Sequence, residues 1–181
     1  MPTLYPYLVS SLPMLSFGAK PPFSFTAFLG QCQQRIPDED YALLESLPQV
    51  NFDNCAALKI EVIKEWLAFD TALRNALAAG RASRKHRDPV LYLRPCAICD
   101  LSLEHLAQAV LRTPLFLDAE RMLDQARWNK LEELSLGHYF DLPVLIIYGY
   151  KLLILLRWEK IRSANSAQLL EEITVSQKGA A

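Results

Sequence analysis

Two cysteines come closest to a reactive arrangement in this sequence. Cys96 and Cys99 have the spacing of a redox pair. They lie between a short apolar stretch that could be extended, residues 90–93, and a predicted helix. Disulfide exchange needs a thiolate, which the start of a helix stabilises. The chain lacks the alternating strands and helices that usually surround such a pair. Two ordinary buried or half-buried cysteines are therefore the simpler interpretation, and a redox site is the alternative.

The same pair could bind zinc only with two further ligands. His86 and His105 have suitable side chains, but one CxxC pair without a second pair is a weak zinc signal. A small redox or zinc-binding protein that uses Cys96 and Cys99 thus stays open as the rival interpretation.

His138 and Asp141 form the other candidate, because a histidine held by a carboxylate can act as a general base. No serine or cysteine nucleophile in a recognisable turn accompanies them. We interpret His138 as a locally hydrogen-bonded histidine between two helices. The leading interpretation therefore assigns no catalytic residue, no metal ligand and no cofactor.

A basic run extends over residues 81–87 and includes Arg81, Arg84, Lys85 and Arg87. Such a run can contact RNA or an anionic lipid surface, although a solvated helix end is the simpler interpretation. The formal net charge of the chain is -1, which gives no reason to expect a nucleic-acid partner.

Composition indicates a folded protein with a real core. The chain has 181 residues, of which 51% are apolar, and only 6 glycines, too few for a turn-rich all-β protein. Four cysteines in a chain of this length do not suggest a disulfide framework, so we expect a reducing cytoplasm. The first residues lack a basic region, and Pro6 and Pro13 interrupt their apolar stretch. We therefore expect them to belong to the fold rather than to a secretion signal.

The most apolar segment, residues 142–156, decides the question of a membrane span. It is shorter than the about 20 residues that a span needs, and it contains Lys151. The pattern favours a buried helix, with Asp141 as its N-cap and Pro143 in its first turn. We expect this helix to break at 163–165 and a last short helix to cover 167–175.

The remaining periodicity predicts an all-α fold, a helical bundle of about seven helices. Its three long core helices should lie near 54–84, 114–134 and 142–162, and Trp66, Trp128 and Trp158 should anchor the core. We expect a single helical domain over 1–181. It divides into an irregular N-terminal segment (1–23), a first helical half (24–87) and a second helical half (88–181).

Four segments together form a recognisable set of motifs. They are YLVSSLPML at 7–15, RWNKLEEL at 127–134, GHYFD at 137–141 and the stretch from Tyr150 to Trp158. These segments resemble an uncharacterised bacterial family encoded with V/A-type ATPase subunits. More remotely, the chain is similar to the C-type subunit of that ATPase, which is related to the d-type subunit of eukaryotes. The C-type subunit is a helical socket between the central rotor shaft and the membrane ring. This chain is much shorter, so the resemblance covers part of the C-type fold or an accessory of the machine.

The resemblance implies a non-enzymatic subunit or accessory of a bacterial proton or sodium V/A-type ATPase. Its partners would be other ATPase subunits, in the central stalk or the membrane ring. It would lie in the cytoplasm, with a peripheral position on the inner face of the cell membrane. In this view Tyr139 and Phe140 pin the turn between two helices. The implied interaction or motif residues are Arg127, Trp128, Gly137, His138, Tyr139, Phe140, Asp141, Arg157 and Trp158.

Overall fold

The computed structural model describes residues 4–50, 60–96 and 100–178. Within these ranges the fold is all-helical, which confirms the predicted bundle of about seven helices. The α-helices are α1 Pro6–Ser11, α2 Phe25–Cys32, α3 Asp38–Ser46, α4 Glu61–Arg84, α5 Leu101–Arg112, α6 Phe116–Leu134 and α7 Leu142–Lys178. Two short 3-10 helices, Leu47–Gln49 and Pro89–Tyr92, connect them.

Local sequence signals explain where several helices begin. The Ser24 hydroxyl accepts a hydrogen bond from the backbone N–H of Ala27 at the start of α2. The Asp100 carboxylate does the same for Ser102 at the start of α5. Both residues are of the types that cap helices best. From the sequence, Ser24 is a candidate cap for α2, and either Asp100 or Ser102 is a candidate cap for α5; in the structure Asp100 has that role. The predicted start of the long helix near residue 54 lies outside the described residues.

The apolar side chains form two clusters that meet along α4. The larger one surrounds the first half of α7 and includes Trp66 and Trp128, while Trp158 packs against it half-buried. The smaller one holds the second half of α4 against α5 and the start of α6, around Leu73 and Val110. From the sequence, α4 is predicted to carry a narrow packing seam, because apolar or small residues recur at alternating steps of four and three, at Val62, Trp66, Phe69, Leu73, Ala76 and Gly80. Val62, Trp66 and Leu73 are buried in the structure, and α4 contributes to both clusters.

Helix α7 is longer than predicted. It runs unbroken for 37 residues, a length of about 56 Å. The predicted break at 163–165 and the separate last helix at 167–175 are wrong, since both ranges belong to α7. The Ser163 hydroxyl donates to the Lys160 carbonyl of the same helix, so this serine does not end it. Across the described parts of the chain, no helix combines the length and the apolar character needed to cross a bilayer.

Two further expectations need correction. The N-terminal segment is not wholly irregular, since Pro6 starts the six-residue helix α1, which buries Leu8. Pro in the first turn favours a helix, because its missing N–H would lack a helical partner there anyway. The stretch 90–93, expected to be extended, falls largely within the 3-10 helix Pro89–Tyr92, where Asp88 accepts from the Val90 N–H.

Candidate functional site

Asp124, in α6, is the buried centre of an ion-pair cluster. Its side chain is 1% exposed. It accepts hydrogen bonds from Arg127 Nη1 at 2.8 Å, from Arg157 Nη1 at 3.1 and 3.2 Å, and from Trp158 Nε1 at 2.9 Å. Three of the motif residues named from the sequence therefore converge on one carboxylate. Glu120, one turn earlier in α6, also pairs with Arg157.

Arg127 extends this cluster to α4. Its Nε lies 2.9 Å from Asp70 Oδ1, and Asp70 also pairs with Arg74 at 2.7 Å. Burial alone lowers the pKa of the Arg127 guanidinium, but the charges and hydrogen bonds of Asp70 and Asp124 outweigh burial and raise that pKa. The guanidinium thus stays charged between two carboxylates and ties α4, α6 and α7 together.

Trp128 fills the core beside this cluster. It is 2% exposed, and its Nε1 donates to Glu132 Oε1 at 2.8 Å. Lys151 Nζ lies 5.0 Å from the centre of the indole ring and 3.6 Å from Glu132. Burial lowers the pKa of Lys151, and Glu132 opposes that shift. The lysine in the apolar segment therefore packs as a cation over an aromatic face.

The turn between α6 and α7 contains the other motif residues. Gly137 has a φ of +88°, which glycine adopts without strain. His138 Nδ1 lies 2.5 Å from Asp141 Oδ2, so the predicted pairing of these residues is present. Asp141 Oδ1 is buried and has no hydrogen-bond partner among the described residues. The Asp141 carboxylate therefore binds His138 instead of capping α7, and only its backbone carbonyl accepts from Val144.

Tyr139 and Phe140 do not pin the turn in the core as expected, because they are 72% and 42% exposed. The turn is held instead by the N-terminal segment. The backbone N–H of Tyr5 donates to the Phe140 carbonyl at 2.5 Å, and Leu4 forms an isolated antiparallel bridge with Asp141. Tyr5 itself is buried and its hydroxyl donates to Asp40.

This pairing brings several exposed apolar side chains to one end of the α6–α7 hairpin. Leu4 and Tyr7 are 61% and 84% exposed, and Leu136 is 77% exposed. We call these three residues, together with Tyr139 and Phe140, the turn patch. Tyr7, which starts the first quoted motif, is close in sequence to Leu4 and Tyr5, and these two residues pair with the turn that contains Tyr139.

A cavity of about 400 Å³ lies beside the ion-pair cluster. Four arginines and two aspartates line it together with Tyr150, whose hydroxyl is buried without a hydrogen-bond partner in the described residues. Burial, with a contribution from the charge of Asp70, raises the pKa of Tyr150. Asp70 and Asp124 are both engaged in ion pairs with arginines beside this cavity.

The cysteine pair is only partly described. Cys96 is half-buried, and its Sγ lies 3.4 Å from the Ala68 carbonyl oxygen. Cys99 lies outside the described residues, so the cysteine pair is not included in the candidate site. His86 and His105 are both exposed. Within the described residues, neither of them forms a hydrogen bond with Cys96, whose thiol bonds to Ala68. In the described ranges, no group of three or more His, Cys, Asp or Glu side chains is placed to hold a metal ion.

Sequence reasoning did not identify Asp124 or Asp70. Nothing in the local pattern distinguishes Asp124 from the exposed acids of α6, because two of its partners lie on α7 and only one is a helical neighbour. The available signal is indirect. Arg157 and Trp158 follow a strongly apolar stretch, and hydrogen-bond donors at the edge of a core favour an acceptor such as a carboxylate nearby.

Residues 101–178 match the model of a family described as "Protein of unknown function (DUF2764)". No curated protein and no solved structure matches the chain. The matched range covers α5, α6 and α7, and therefore Asp124, Arg127, Trp128, the turn at 137–141, Arg157 and Trp158. Helix α4, with Asp70, lies outside it. The part of the chain that holds most of the motif residues is thus similar to a family whose function is not established.

Proposed function

We propose that the protein is a non-enzymatic helical subunit or accessory of a bacterial V/A-type ATPase. In this proposal it resembles the C-type subunit and connects or stabilises the central stalk by protein–protein contacts. It would work in the cytoplasm, at the inner face of the membrane that holds the ATPase. The assignment to this machine rests on the resemblance of the quoted motifs, and the exposed apolar residues offer a surface through which such a protein could act.

The turn patch is the observation that carries the proposal. Exposed aromatic and aliphatic side chains gathered at one end of a helical hairpin are typical of a protein contact surface. Tyr139 and Phe140 belong to a motif that the resemblance rests on, yet they contribute little to the core. Because exposed apolar side chains add little to the stability of the fold, contact with a partner protein is the better explanation for this motif.

The ion-pair cluster supports the same proposal from inside the molecule. A part that transmits load between a shaft and a ring must keep its helices at fixed angles. Asp124 joins α6 to α7, and Arg127 joins α6 to α4 through Asp70. Asp70, Asp124 and Arg127 have little contact with solvent, and their bonds connect three helices. Such bonds favour a single packing of α4, α6 and α7 over other arrangements.

Affinity purification from the source bacterium tests the proposal. The chain, tagged at its C-terminus, is isolated from gently solubilised membranes, and the co-purifying proteins are identified by mass spectrometry. We expect V/A-type ATPase subunits in near-stoichiometric amounts. We also expect the variant Leu136→Ser/Tyr139→Ser/Phe140→Ser to lose them by at least about tenfold, since exposed aromatic anchors dominate interface energies.

A matched control removes apolar side chains that are equally exposed but lie elsewhere. Leu115 and Phe116, at the start of α6, are 63% and 74% exposed. The variant Leu115→Ser/Phe116→Ser should retain the ATPase subunits. Circular dichroism and thermal unfolding show whether each variant keeps its fold. Preparations of the wild-type chain from which every ATPase subunit is absent would overturn the assignment.

A further inference from the structure

Four consecutive large apolar residues between α4 and α5 are exposed to solvent. Val90, Leu91, Tyr92 and Leu93 are 72%, 76%, 54% and 41% exposed. They occupy the 3-10 helix Pro89–Tyr92 and the residue after it. We call residues 88–94 the apolar loop. An uninterrupted run of this kind is unusual on a protein surface and marks a place that is covered in use.

The apolar loop is ordered by hydrogen bonds within it and to α4, so its exposure is a built feature of the fold. At its start, the Asp88 carboxylate accepts from the Val90 N–H at 3.0 Å. At its end, the Asn75 side chain of α4 bonds both backbone groups of Arg94, at 2.8 and 3.0 Å. The Asn75 bonds hold the end of the loop against α4 while its apolar side chains stay exposed.

The loop is surrounded by positive charge. Arg81, Arg84, Lys85 and Arg87 at the end of α4 are all exposed, and Arg94 is exposed at the far end of the loop. No ion pair joins any of these five cations to a carboxylate within the described residues.

Apolar and basic side chains are direct neighbours here. Arg81, Lys85 and Arg87 line one small cavity, of about 240 Å³, together with Tyr92 of the loop. Over residues 81–94 the only carboxylate is that of Asp88, which is engaged with the loop backbone. The whole chain carries a net charge of -1, so this concentration of cations is local.

We propose that the apolar loop and the basic end of α4 together form a docking surface for an anionic lipid bilayer. The four apolar side chains enter the boundary between headgroups and acyl chains, and the five cations attract the lipid phosphates. Tyr92 suits the boundary itself, since its ring is apolar and its hydroxyl is polar. This proposal does not rest on the proposed ATPase function.

The chemistry of the loop favours a bilayer over RNA. Single-stranded RNA is bound by aromatic side chains on which bases stack, and three of the four loop residues are aliphatic. Aliphatic side chains bordered by exposed cations match a lipid surface, in which an apolar layer lies beneath an anionic one. An acidic protein surface is the other possible occupant, and the experiment separates it.

Flotation of the purified full chain with protein-free vesicles tests the proposal. The vesicles are either pure phosphatidylcholine or phosphatidylcholine mixed with phosphatidylglycerol. We expect binding to the mixed vesicles at least about tenfold tighter than to the neutral ones, and weaker binding at high salt. The variant Arg84→Gln/Lys85→Gln should lose about fivefold in affinity for each cation removed.

The apolar contribution is tested separately. Val90→Ser/Leu91→Ser should reduce binding to the mixed vesicles by at least about tenfold, because it removes the two most exposed loop side chains. Leu136→Ser/Tyr139→Ser removes equally exposed side chains from the turn patch and should bind as the wild type does. All these positions are exposed, so thermal unfolding should change little.

Several outcomes would overturn the proposal. They are equal binding to neutral and anionic vesicles, undiminished binding of Val90→Ser/Leu91→Ser, and no binding to the mixed vesicles, which would favour an acidic protein surface instead. Because the vesicles contain no protein, such a failure would leave the ATPase proposal untouched. Conversely, vesicle binding by a chain that never co-purifies with ATPase subunits would sustain only the lipid proposal.

Discussion

Asp124 of α6 and Arg157 of α7 are 33 residues apart in sequence, and Arg157 Nη1 lies 3.1 Å from Asp124 Oδ2. The same carboxylate binds Arg127 of its own helix, and Arg127 reaches Asp70 of α4. Asp124, which is nearly inaccessible to solvent, therefore connects α6 to α7 directly and to α4 through Arg127. Such a cluster stabilises the fold only when all its members are present. Removing one member leaves the charge of its partner without compensation in a poorly hydrated place.

Replacing Asp124 by alanine should lower the free energy of unfolding by about 3–5 kcal/mol. The change leaves Arg127, whose side chain is 15% exposed, with a single carboxylate partner and little water. Urea denaturation followed by circular dichroism measures the loss. Glu133→Ala serves as the control, since Glu133 pairs with Lys130 while 64% exposed, and its loss should be below about 1 kcal/mol.

A second variant separates charge from packing at this position. Asp124→Leu combined with Arg127→Met removes both charges and keeps apolar volume, so it should recover a large part of the stability lost in Asp124→Ala. If Asp124→Ala and Glu133→Ala lower the free energy of unfolding by similar amounts, the ion-pair cluster does not hold the three helices together.

Much of the helix pattern could be predicted because its signals are local. Ser24 and Asp100 cap helices through contacts two or three residues away, and the spacing from Val62 to Leu73 shows which face of α4 is buried. The length of α7 could not be predicted in the same way. Ser163 has a moderate helix propensity, and its hydroxyl can either end a helix or bond back within it.

The candidate site was harder to predict because its geometry depends on distant residues. Arg127, Trp158 and the turn at 137–141 stood out as motif residues, but their partners did not. Asp70 comes 57 residues before Arg127, and Tyr5 is far from Phe140 in sequence. Only the packing of the helices brings these groups together, and a single sequence carries no direct signal of such pairs.

Gly149, in α7, should resist enlargement. A Cβ there would lie 2.9 Å from Leu47 Cδ1 and 3.6 Å from Phe28 Cε1, and both of those side chains are fully buried. Gly149→Ala should therefore destabilise the protein by about 1–2 kcal/mol, since the steric cost exceeds the gain in helix propensity. Thermal or urea unfolding measures this change.

Gly30, in α2, gives the matched control. A Cβ at this exposed position would meet no atom within 4 Å. Gly30→Ala should stabilise the protein by up to about 1 kcal/mol, because alanine favours a helix more than glycine does. Gains of similar size at both positions would show that Leu47 moves aside freely, contrary to the packing described.

Cys32 should be nearly inert in the folded protein. It is 0% exposed, and burial raises the pKa of its thiol from 9.0 to about 11 despite the opposing charge of Arg35. Because the thiolate is the reactive form, a variant with Cys55, Cys96 and Cys99 changed to serine should react about two orders of magnitude more slowly when folded than in denaturant. Equal rates would mean that α2 opens readily.

Two tyrosines of α7 should make the protein sensitive to alkali. Burial raises the pKa of Tyr148 from 10.0 to about 12, and burial with the charge of Asp70 also raises the pKa of Tyr150. The folded state thus holds these protons more tightly than the unfolded state. Their contribution to stability is complete below about pH 10 and is lost as the pH rises toward about 12.

Urea unfolding over this pH range, with tyrosinate absorbance as a second signal, tests that dependence. Tyr148→Phe keeps the ring against Phe28 and removes the ionisable hydroxyl, which donates to the Pro13 carbonyl at 3.0 Å. The variant should lose about 1 kcal/mol at neutral pH and show a shallower decline above about pH 10. An identical decline in the variant and the wild type would assign the alkaline transition to other groups.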